Sequence, residues 1–292
     1  MATEFKYIVT DKGVKIKEYI GTDKEVVIPS EIDGMPVTSI GGYSFSSSKF
    51  VKSVTIPDSV TEICLFAFSK CTCLTSVTIG NSVQIIEWSA FSGCKHLKSI
   101  TLPDSLTEIG SWAFSGCTAL ENITLPDSLT EISSDTFADC TGLKNVDIPN
   151  SVAIVGACAF DGCTSLKSVT IGNGVTTIGE SAFSYCSSLI SVIIPDSVVK
   201  ISRCAFSECR SLNDISIPDS ITTIEEYAFS GCISLKSVTI PNSVKFIGDK
   251  AFGYFYMDMK KMTDFTICGY KDSVAQHYAE NYGFNFVNVS NK

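Results

Sequence analysis

Histidine is almost absent from this 292-residue sequence, which contains only His96 and His277. Nucleophilic catalysis by serine or cysteine needs a neighbouring base, and that base is most often histidine. Neither histidine belongs to a recognisable triad. The sequence also lacks a P-loop, a Gly-x-Gly-x-x-Gly turn, a His-Glu-x-x-His helix and the spacing of a calcium loop. We therefore predict that the protein is not an enzyme and has no catalytic residue, no metal site and no cofactor.

Basic residues are scarce, and long hydrophobic runs are missing. Lys and Arg number 22 against 31 Asp and Glu, which gives a formal charge of -9. Affinity for phosphate backbones comes mainly from clustered Lys and Arg, so nucleic acid is not an expected partner. No apolar run approaches the ~18 residues of a membrane helix, so no membrane insertion is predicted. Residues 1–7 lack a basic stretch followed by an apolar core, and on this pattern the sequence as given carries no signal peptide.

A repeat of 23 residues dominates the sequence. Isoleucine or leucine closes a segment of the type Ser-Val-Thr-Ile-Pro in each copy. These residues are Ile56, Ile79, Leu102, Leu125, Ile148, Ile171, Ile194, Ile217 and Ile240. One such unit cannot bury its own apolar side, whereas stacked copies share a continuous core, so the period predicts a solenoid.

Each repeat combines two local patterns. In the copy from Leu97 to Cys117, an alternating segment rich in β-branched residues is ended by Pro103, which predicts a strand. A second short extended segment follows, and the stretch that leads to Cys117 predicts one helical or 3₁₀ turn. We expect an α/β solenoid with a parallel β-sheet on one face, and short strands and helical or 3₁₀ turns elsewhere.

Phenylalanine and cysteine recur at fixed positions of the repeat. The phenylalanines are Phe45, Phe68, Phe91, Phe114, Phe137, Phe160, Phe183, Phe206, Phe229 and Phe252. Eight of the 13 cysteines form a second row: Cys71, Cys94, Cys117, Cys140, Cys163, Cys186, Cys209 and Cys232. Side chains in register run parallel, which leaves β-carbons farther apart than the roughly 3.8 Å that a disulfide prefers. We predict a stack of phenyl rings and a row of free, buried thiols.

The two ends depart from the repeat and predict caps. Residues 1–27 form an N-terminal β-hairpin cap with a turn at Asp11 to Gly13. Residues 28–265 hold about ten repeats, of which the first and last are irregular. Residues 266–292 form a C-terminal strand-helix-strand cap, whose helix ends at Gly283. We expect one elongated domain.

The repeat motif Leu-x-x-Val-x-Ile-Pro-x-Ser-Val-x-x-Ile-Gly-x-x-Ala-Phe-x-x-Cys resembles the Treponema-type, BspA-like leucine-rich repeats of bacterial surface proteins. The resemblance spans about residues 26–270. It implies a right-handed solenoid used for binding and adhesion, with no catalytic residues to carry over. By this resemblance the protein is expected at the cell surface or secreted.

Two polar rows invite alternative interpretations. An Asp or Asn follows the Pro/Gly position in nine consecutive repeats, from Asp58 to Asn242, and could serve backbone turns or hold cations. The turn role is favoured because neutral Asn is accepted as readily as Asp.

The outward residues of the strands are mainly Ser and Thr, as in some ice-binding solenoids. Asp147, Ile193 and Asp214 interrupt this face, so ice binding is a remote alternative to a solvated sheet.

The candidate binding residues are Leu65, Phe66, Trp88 and Trp112. They lie just before the Ala-Phe pair, where the residue type varies freely between repeats. Exposed aromatic residues are enriched in binding hot spots, and a contiguous apolar patch on a soluble protein usually marks a contact surface. The alternative is that these side chains fill gaps along the coil surface.

These patterns favour a non-enzymatic protein that binds a protein or glycan ligand, and the resemblance adds adhesion to this prediction. The alternative is an intracellular, cytoplasmic scaffold of the same fold. Free thiols and the pattern of the first residues would suit that alternative.

Overall fold

The computed structural model describes residues 4–256 and 260–289, and it shows a solenoid in which each repeat makes one coil. Residues 1–3 and 290–292 of the predicted caps, and residues 257–259 of the segment after the last regular repeat, lie outside the described residues. Each coil has three sides: a strand, a second and shorter strand, and a turn segment. The predicted solenoid is confirmed.

The Ser-Val-Thr segments form the first row of strands, because their β-branched residues alternate between core and solvent. In order, the strands are β3 (Glu25–Val27), β6 (Ser53–Thr55), β8 (Ser76–Thr78), β10 (Ser99–Thr101), β13 (Asn145–Ile148), β15 (Ser168–Ile171), β17 (Ser191–Ile193), β19 (Asp214–Ser216), β21 (Ser237–Thr239), β23 (Thr266–Gly269) and β24 (Asn285–Asn288). Neighbours pair in parallel, as Val54 does with Val77. The pairing is interrupted twice: at residue 122 only an isolated bridge joins Asn122 to Asn145, and β19 does not pair with β21.

A second row of strands covers another side of the solenoid. It consists of β5 (Met35–Ile40), β7 (Glu62–Ile63), β9 (Ile85–Ile86), β11 (Glu108–Ile109), β12 (Glu131–Ile132), β14 (Ile154–Val155), β16 (Thr177–Ile178), β18 (Lys200–Ile201), β20 (Thr223–Ile224) and β22 (Phe246–Ile247). The strands are again parallel and one coil apart, as between Ile63 and Ile86, and the ladder is interrupted between β11 and β12.

The third side is built from turns rather than helices. Alternate N–H groups donate within the coil, from Ala67 to the Cys64 carbonyl and from Ser69 to the Phe66 carbonyl, both at 3.1 Å. The N–H groups between them donate to the next coil, as from Phe68 to the Ala90 carbonyl at 2.8 Å. The predicted turn is therefore present, but it does not continue as a 3₁₀ helix because every second donor leaves the coil.

Two residues of each turn adopt the left-handed conformation. The second of them is often glycine, as at Gly93 and Gly116, with φ of 71° and 70°. The first, which precedes the Ala-Phe pair, is never glycine, and its φ is positive from Tyr43 (63°) to Lys250 (49°). We call this first left-handed residue the display position.

The phenylalanine column forms the centre of the core. From Phe45 to Phe252, neighbouring ring centroids are 4.8–5.5 Å apart and the ring planes lie within 20° of parallel. The eight repeated cysteines are buried, free thiols, as predicted. Each thiol also reaches a phenylalanine carbonyl of the preceding coil, as from Cys94 Sγ to the Phe68 oxygen at 3.1 Å.

The N-terminal end is closed by a hairpin of β1 (Phe5–Thr10) and β2 (Gly13–Tyr19). Strand β2 also pairs in parallel with β5, so the hairpin extends the second row. The two-residue strand β4 (Glu31–Ile32) folds back antiparallel on β5. The Tyr19 N–H donates to the Ser44 carbonyl at 2.9 Å, which ends the row of inter-coil bonds on the turn side.

The C-terminal end is closed by helix α1 (Val274–Tyr282), which lies between strands β23 and β24 in the chain. Ser273 caps its N-terminus and Gly283, at φ 66°, caps its C-terminus. The Tyr278 hydroxyl accepts a hydrogen bond from the Phe252 N–H at 3.0 Å, where the next coil would have supplied a carbonyl. None of the helices formed by the described residues has the length and apolar character needed to cross a bilayer.

Candidate functional site

The four predicted binding residues all lie on the turn side of the solenoid. Phe66 and Trp112 occupy display positions, and Leu65 and Trp88 each lie one residue earlier in their coils. Exposed fractions are 40% for Leu65, 48% for Trp88 and 43% for Trp112, while Phe66 is half-buried. Three of the four side chains therefore face solvent.

The structure brings three of these residues together with Tyr43, a neighbour that the prediction omitted. The Phe66 ring stacks on Tyr43 with centroids 4.8 Å apart and meets the edge of Trp88 at 4.7 Å. Tyr43 is 59% exposed. We define the aromatic patch as Tyr43, Leu65, Phe66 and Trp88. Tyr43 occupies the display position one coil before Phe66, and that shared position was the signal that could have found it.

Trp112 stands apart from the aromatic patch. Ser89 occupies the display position of the intervening coil, so no ring bridges Phe66 and Trp112. Among residues 4–256 and 260–289, no ring contact involves Trp112. The tryptophans thus lie on adjacent coils, as predicted, but they do not form one stack.

The backbone conformation at the display position does not favour aromatic residues. Phe66 has φ 55° and Trp112 has φ 63°, in a region where a bulky residue is an outlier. The next coil holds each backbone in place, since the Phe66 N–H donates to the Trp88 carbonyl at 3.1 Å and the Trp112 N–H to the Ser134 carbonyl at 3.1 Å. The same conformation occurs at the display position from Tyr43 to Lys250, so it belongs to the repeat and is imposed whatever the residue type.

A polar cluster lies beside the aromatic patch. The carboxylate of Glu87 accepts the Leu65 N–H at 2.7 Å. Lys15 of the hairpin forms a hydrogen bond with the Cys64 thiol, which raises the Lys15 pKa. Burial raises the pKa of Cys64 to about 11 and also raises the pKa of Glu87.

Within the described ranges, this polar cluster holds the only group of side chains with metal-ligand spacing. The ligand atoms of Glu62, Cys64 and Glu87 lie within 4.8 Å of one another. The Lys15 ammonium already provides a positive charge here, and the thiol stays protonated at neutral pH. Two carboxylates thus face a single ammonium, and Lys15 brings the hairpin against the first coils at this point.

At two points of the Asp/Asn row, where Gly80 and Gly172 stand in place of proline, the side chain of one coil bonds the backbone of the next. Asp58 Oδ1 accepts the N–H of Asn81, and Asn150 Oδ1 accepts the N–H of Asn173, both at 2.7 Å. Acid and amide thus accept equivalent hydrogen bonds, but these bonds join neighbouring coils and do not close the turn that holds the side chain. Both histidines are exposed, and His96 contacts the Thr72 carbonyl rather than a nucleophile.

Comparison with protein-family models gives a match to the BspA-type leucine-rich repeat region, in six copies over residues 38–155 and 130–257. These ranges cover most of the chain. The chain belongs to the BspA-type leucine-rich repeat family. The resemblance predicted from the repeat motif is therefore confirmed. No curated protein matches the sequence.

Solved structures of bacterial leucine-rich repeat proteins are similar to this member of the family. The T. pallidum leucine-rich repeat protein TpLRR shares 30% identity over 80% of this chain and 89% of its own, with a TM-score of 0.52. The pneumococcal vaccine antigen PcpA shares 19% identity over 98% and 99% of the two chains, with a TM-score of 0.56. A protein from Eubacterium ventriosum shares 18% identity over 90% and 97%, with a TM-score of 0.51. The last two similarities concern the fold alone.

Proposed function

We propose that this BspA-type protein is a non-enzymatic, ligand-binding solenoid that acts in adhesion at the cell surface or after secretion. Its partner is a protein or a glycan, which it contacts through the aromatic patch and Trp112. The observation that carries the proposal is the display of large aromatic side chains, among them the exposed Tyr43, Trp88 and Trp112, at turn positions that the repeat leaves free. Membership of the family supports the adhesive role.

The energetics of protein interfaces agree with this proposal. Hot spots are enriched in Trp and Tyr, and truncation of such a residue commonly costs 2 kcal/mol or more of binding energy. Trp88 and Trp112 add little to the core, because both side chains are nearly half exposed. Their removal should therefore affect binding more than folding.

A cytoplasmic scaffold of the same fold is the second candidate. The observation in its favour is that all 13 cysteines are free thiols, as expected in a reducing compartment. Eight of these belong to the buried row, where parallel side chains disfavour disulfides in any compartment. The remaining five are the ones that bear on this candidate.

The double variant Trp88→Ala, Trp112→Ala tests the proposed surface. The wild-type protein is first used to capture and identify a partner from cell-surface and matrix extracts, and the purified partner is then titrated by calorimetry. We expect the double variant to bind at least tenfold more weakly, a loss of about 1.4 kcal/mol or more. Its melting temperature should stay within a few degrees of wild type.

Phe246→Ala provides the matched control, because Phe246 is an exposed aromatic residue on the second row of strands. This variant should bind as the wild type does. A large loss of stability in the tryptophan variant would instead assign those side chains to packing. Equal binding by all three proteins would refute the proposed surface.

A further inference from the structure

Three side chains of the polar cluster are of the types that ligate metal ions. One ligand atom each from Glu62, Cys64 and Glu87 lies within 4.8 Å of the other two. Glu62 and Cys64 flank the buried Ile63 of β7, so both side chains leave the strand on its outer face. Glu87 occupies the position of Cys64 one coil later. The repeat thus brings the three groups to one point on the second row of strands.

Cys64 is buried on this outer face because the hairpin covers it. The residue is only 1% exposed, and its one hydrogen-bond partner in the described part of the chain is the Lys15 ammonium. An ammonium group can only donate, so the thiol hydrogen has no acceptor. Repeated cysteines such as Cys94 donate to a backbone carbonyl instead. Cys64 therefore places a buried S–H group without an acceptor next to two carboxylates.

The two carboxylates lack a close positive partner. Glu62 and Glu87 share a hydrogen bond with each other. Among residues 4–256 and 260–289, neither carboxylate forms an ion pair with a Lys or Arg side chain. The Lys15 ammonium bonds the thiol instead. Like charges in contact are unfavourable, so a divalent cation between these carboxylates would remove a repulsion.

The surroundings of the three groups suit a bound ion. The Leu65 N–H donates to Glu87 Oε2 at 2.7 Å and orients that carboxylate, as the outer partners of metal ligands do. A cleft of about 310 Å³ between the hairpin and the second row is lined by Lys15 and Glu62, among others. It gives an ion and a water molecule a path to the cluster.

The donor set selects zinc among the common divalent cations. Thiolate sulfur is a soft ligand that suits zinc, whereas magnesium and calcium take oxygen ligands. In tetrahedral zinc sites, bonds of about 2.0 Å to oxygen and 2.3 Å to sulfur set the ligand atoms roughly 3.3–3.5 Å apart. The separations of up to 4.8 Å in the cluster close to these values by side-chain adjustment alone.

We propose that Glu62, Cys64 and Glu87 bind one zinc ion, with Lys15 as a cation that competes for the same ligands. Binding forms a Zn–S bond, breaks the S–H bond and releases that proton to solvent. No metal site was predicted from the sequence, because the ligands come from two coils and form no linear motif. The inference does not depend on the proposed ligand-binding surface, since none of the three ligands belongs to the aromatic patch.

Calorimetric titration of the reduced, full-length protein with zinc chloride tests this site. We expect one zinc ion to bind per chain, with a dissociation constant in the micromolar range or below. Cys64→Ser and Glu87→Gln should each weaken this binding at least tenfold, because each removes a ligand. Glu87→Gln keeps a side-chain oxygen for the Leu65 N–H, so its melting temperature should stay within a few degrees of wild type. Magnesium chloride should show no binding under the same conditions.

Two further measurements identify the thiolate and the competing cation. Cobalt(II) in place of zinc should give a thiolate-to-metal charge-transfer band in the near ultraviolet, and Cys64→Ser should lack this band. Lys15→Met should bind zinc at least as tightly as the wild type, because it removes the ammonium that bonds the thiol.

Cys158→Ser is the matched control. Burial raises the pKa of both thiols to about 11, and Asp135 is near Cys158 but outside ligand spacing. This variant should bind zinc as the wild type does. Failure of the wild type to bind zinc, equal binding by Cys64→Ser, or loss of binding in Lys15→Met would overturn the inference.

Discussion

At the scale of single residues, the phenylalanine column joins each coil to both of its neighbours. Phe137 lies near the middle of the column, fully buried, with ring centroids 5.5 Å from Phe114 and 5.3 Å from Phe160. Each ring thus serves two interfaces, and in an array whose units contact only their neighbours those interfaces carry the stability.

Phe137→Ala should lower the free energy of unfolding by about 3–5 kcal/mol, because it removes a buried ring and leaves a cavity between two others. Chemical denaturation monitored by circular dichroism measures this change. Phe246→Ala, at an exposed position, should change the same quantity by no more than about 0.5 kcal/mol. A similar loss in both variants would contradict the structural role of the column.

The period of the sequence was sufficient to predict both repeated columns, because a residue type that recurs every 23 positions must stack in a solenoid. The left-handed display position was not predicted, since no glycine occurs there to signal it. The hydrogen bond from each repeated thiol to a phenylalanine carbonyl, such as Cys94 to Phe68, also needs the coil geometry. Of the four predicted binding residues, Phe66 and Trp88 are in ring contact, whereas among the described residues no ring contacts Trp112.

At the scale of elements, the two caps end the same hydrogen-bond row in different ways. The hairpin supplies a backbone N–H, whereas α1 supplies the hydroxyl of Tyr278. That hydroxyl accepts from the Phe252 N–H and donates to the Phe252 carbonyl at 3.2 Å. The sequence predicted the hairpin and the helix from turn and capping residues. The contact between Tyr278 and the last coil depends on docking, which local patterns do not encode.

Tyr278→Phe should leave the buried N–H and carbonyl of Phe252 without this partner, at a cost of about 1–3 kcal/mol. Hydrogen exchange followed by mass spectrometry should show faster exchange in α1 and the last coils, and unchanged exchange in the first coils. Tyr282→Phe is the control, because its hydroxyl bonds the exposed carboxylate of Asp249. Equal exchange in the two variants would show that the Tyr278 hydroxyl does not close the row.

At the scale of the whole molecule, the row of buried thiols makes the free energy of unfolding depend on pH in the alkaline range. Burial raises the pKa of Cys71 and Cys140 to about 12, against an ordinary value of 9.0, and raises the pKa of the other repeated cysteines as well. The folded state therefore keeps protons that the unfolded state loses. This contribution to stability is fully present below pH 9 and is lost as pH rises toward 12.

The free energy of unfolding should fall above pH 9 by up to about 1.4 kcal/mol per pH unit for each such thiol. Urea unfolding at a series of pH values measures the slope. In the double variant Cys117→Ala, Cys140→Ala, the slope should be shallower by the contribution of two thiols. An unchanged slope would show that the thiols do not govern alkaline unfolding.

On the turn side of the solenoid, many peptide dipoles are aligned along the row of coils. In each coil, peptide units such as those that join residues 65–66, 67–68 and 69–70 direct their carbonyl groups toward the hairpin and their N–H groups toward α1. Dipoles aligned in this way add together, as they do in an α-helix. The dipoles of the turn side thus run from a negative end at the hairpin to a positive end at α1, while peptide units of the second row, such as the one that joins residues 63–64, point the opposite way, so the two sides of each coil carry opposed dipoles.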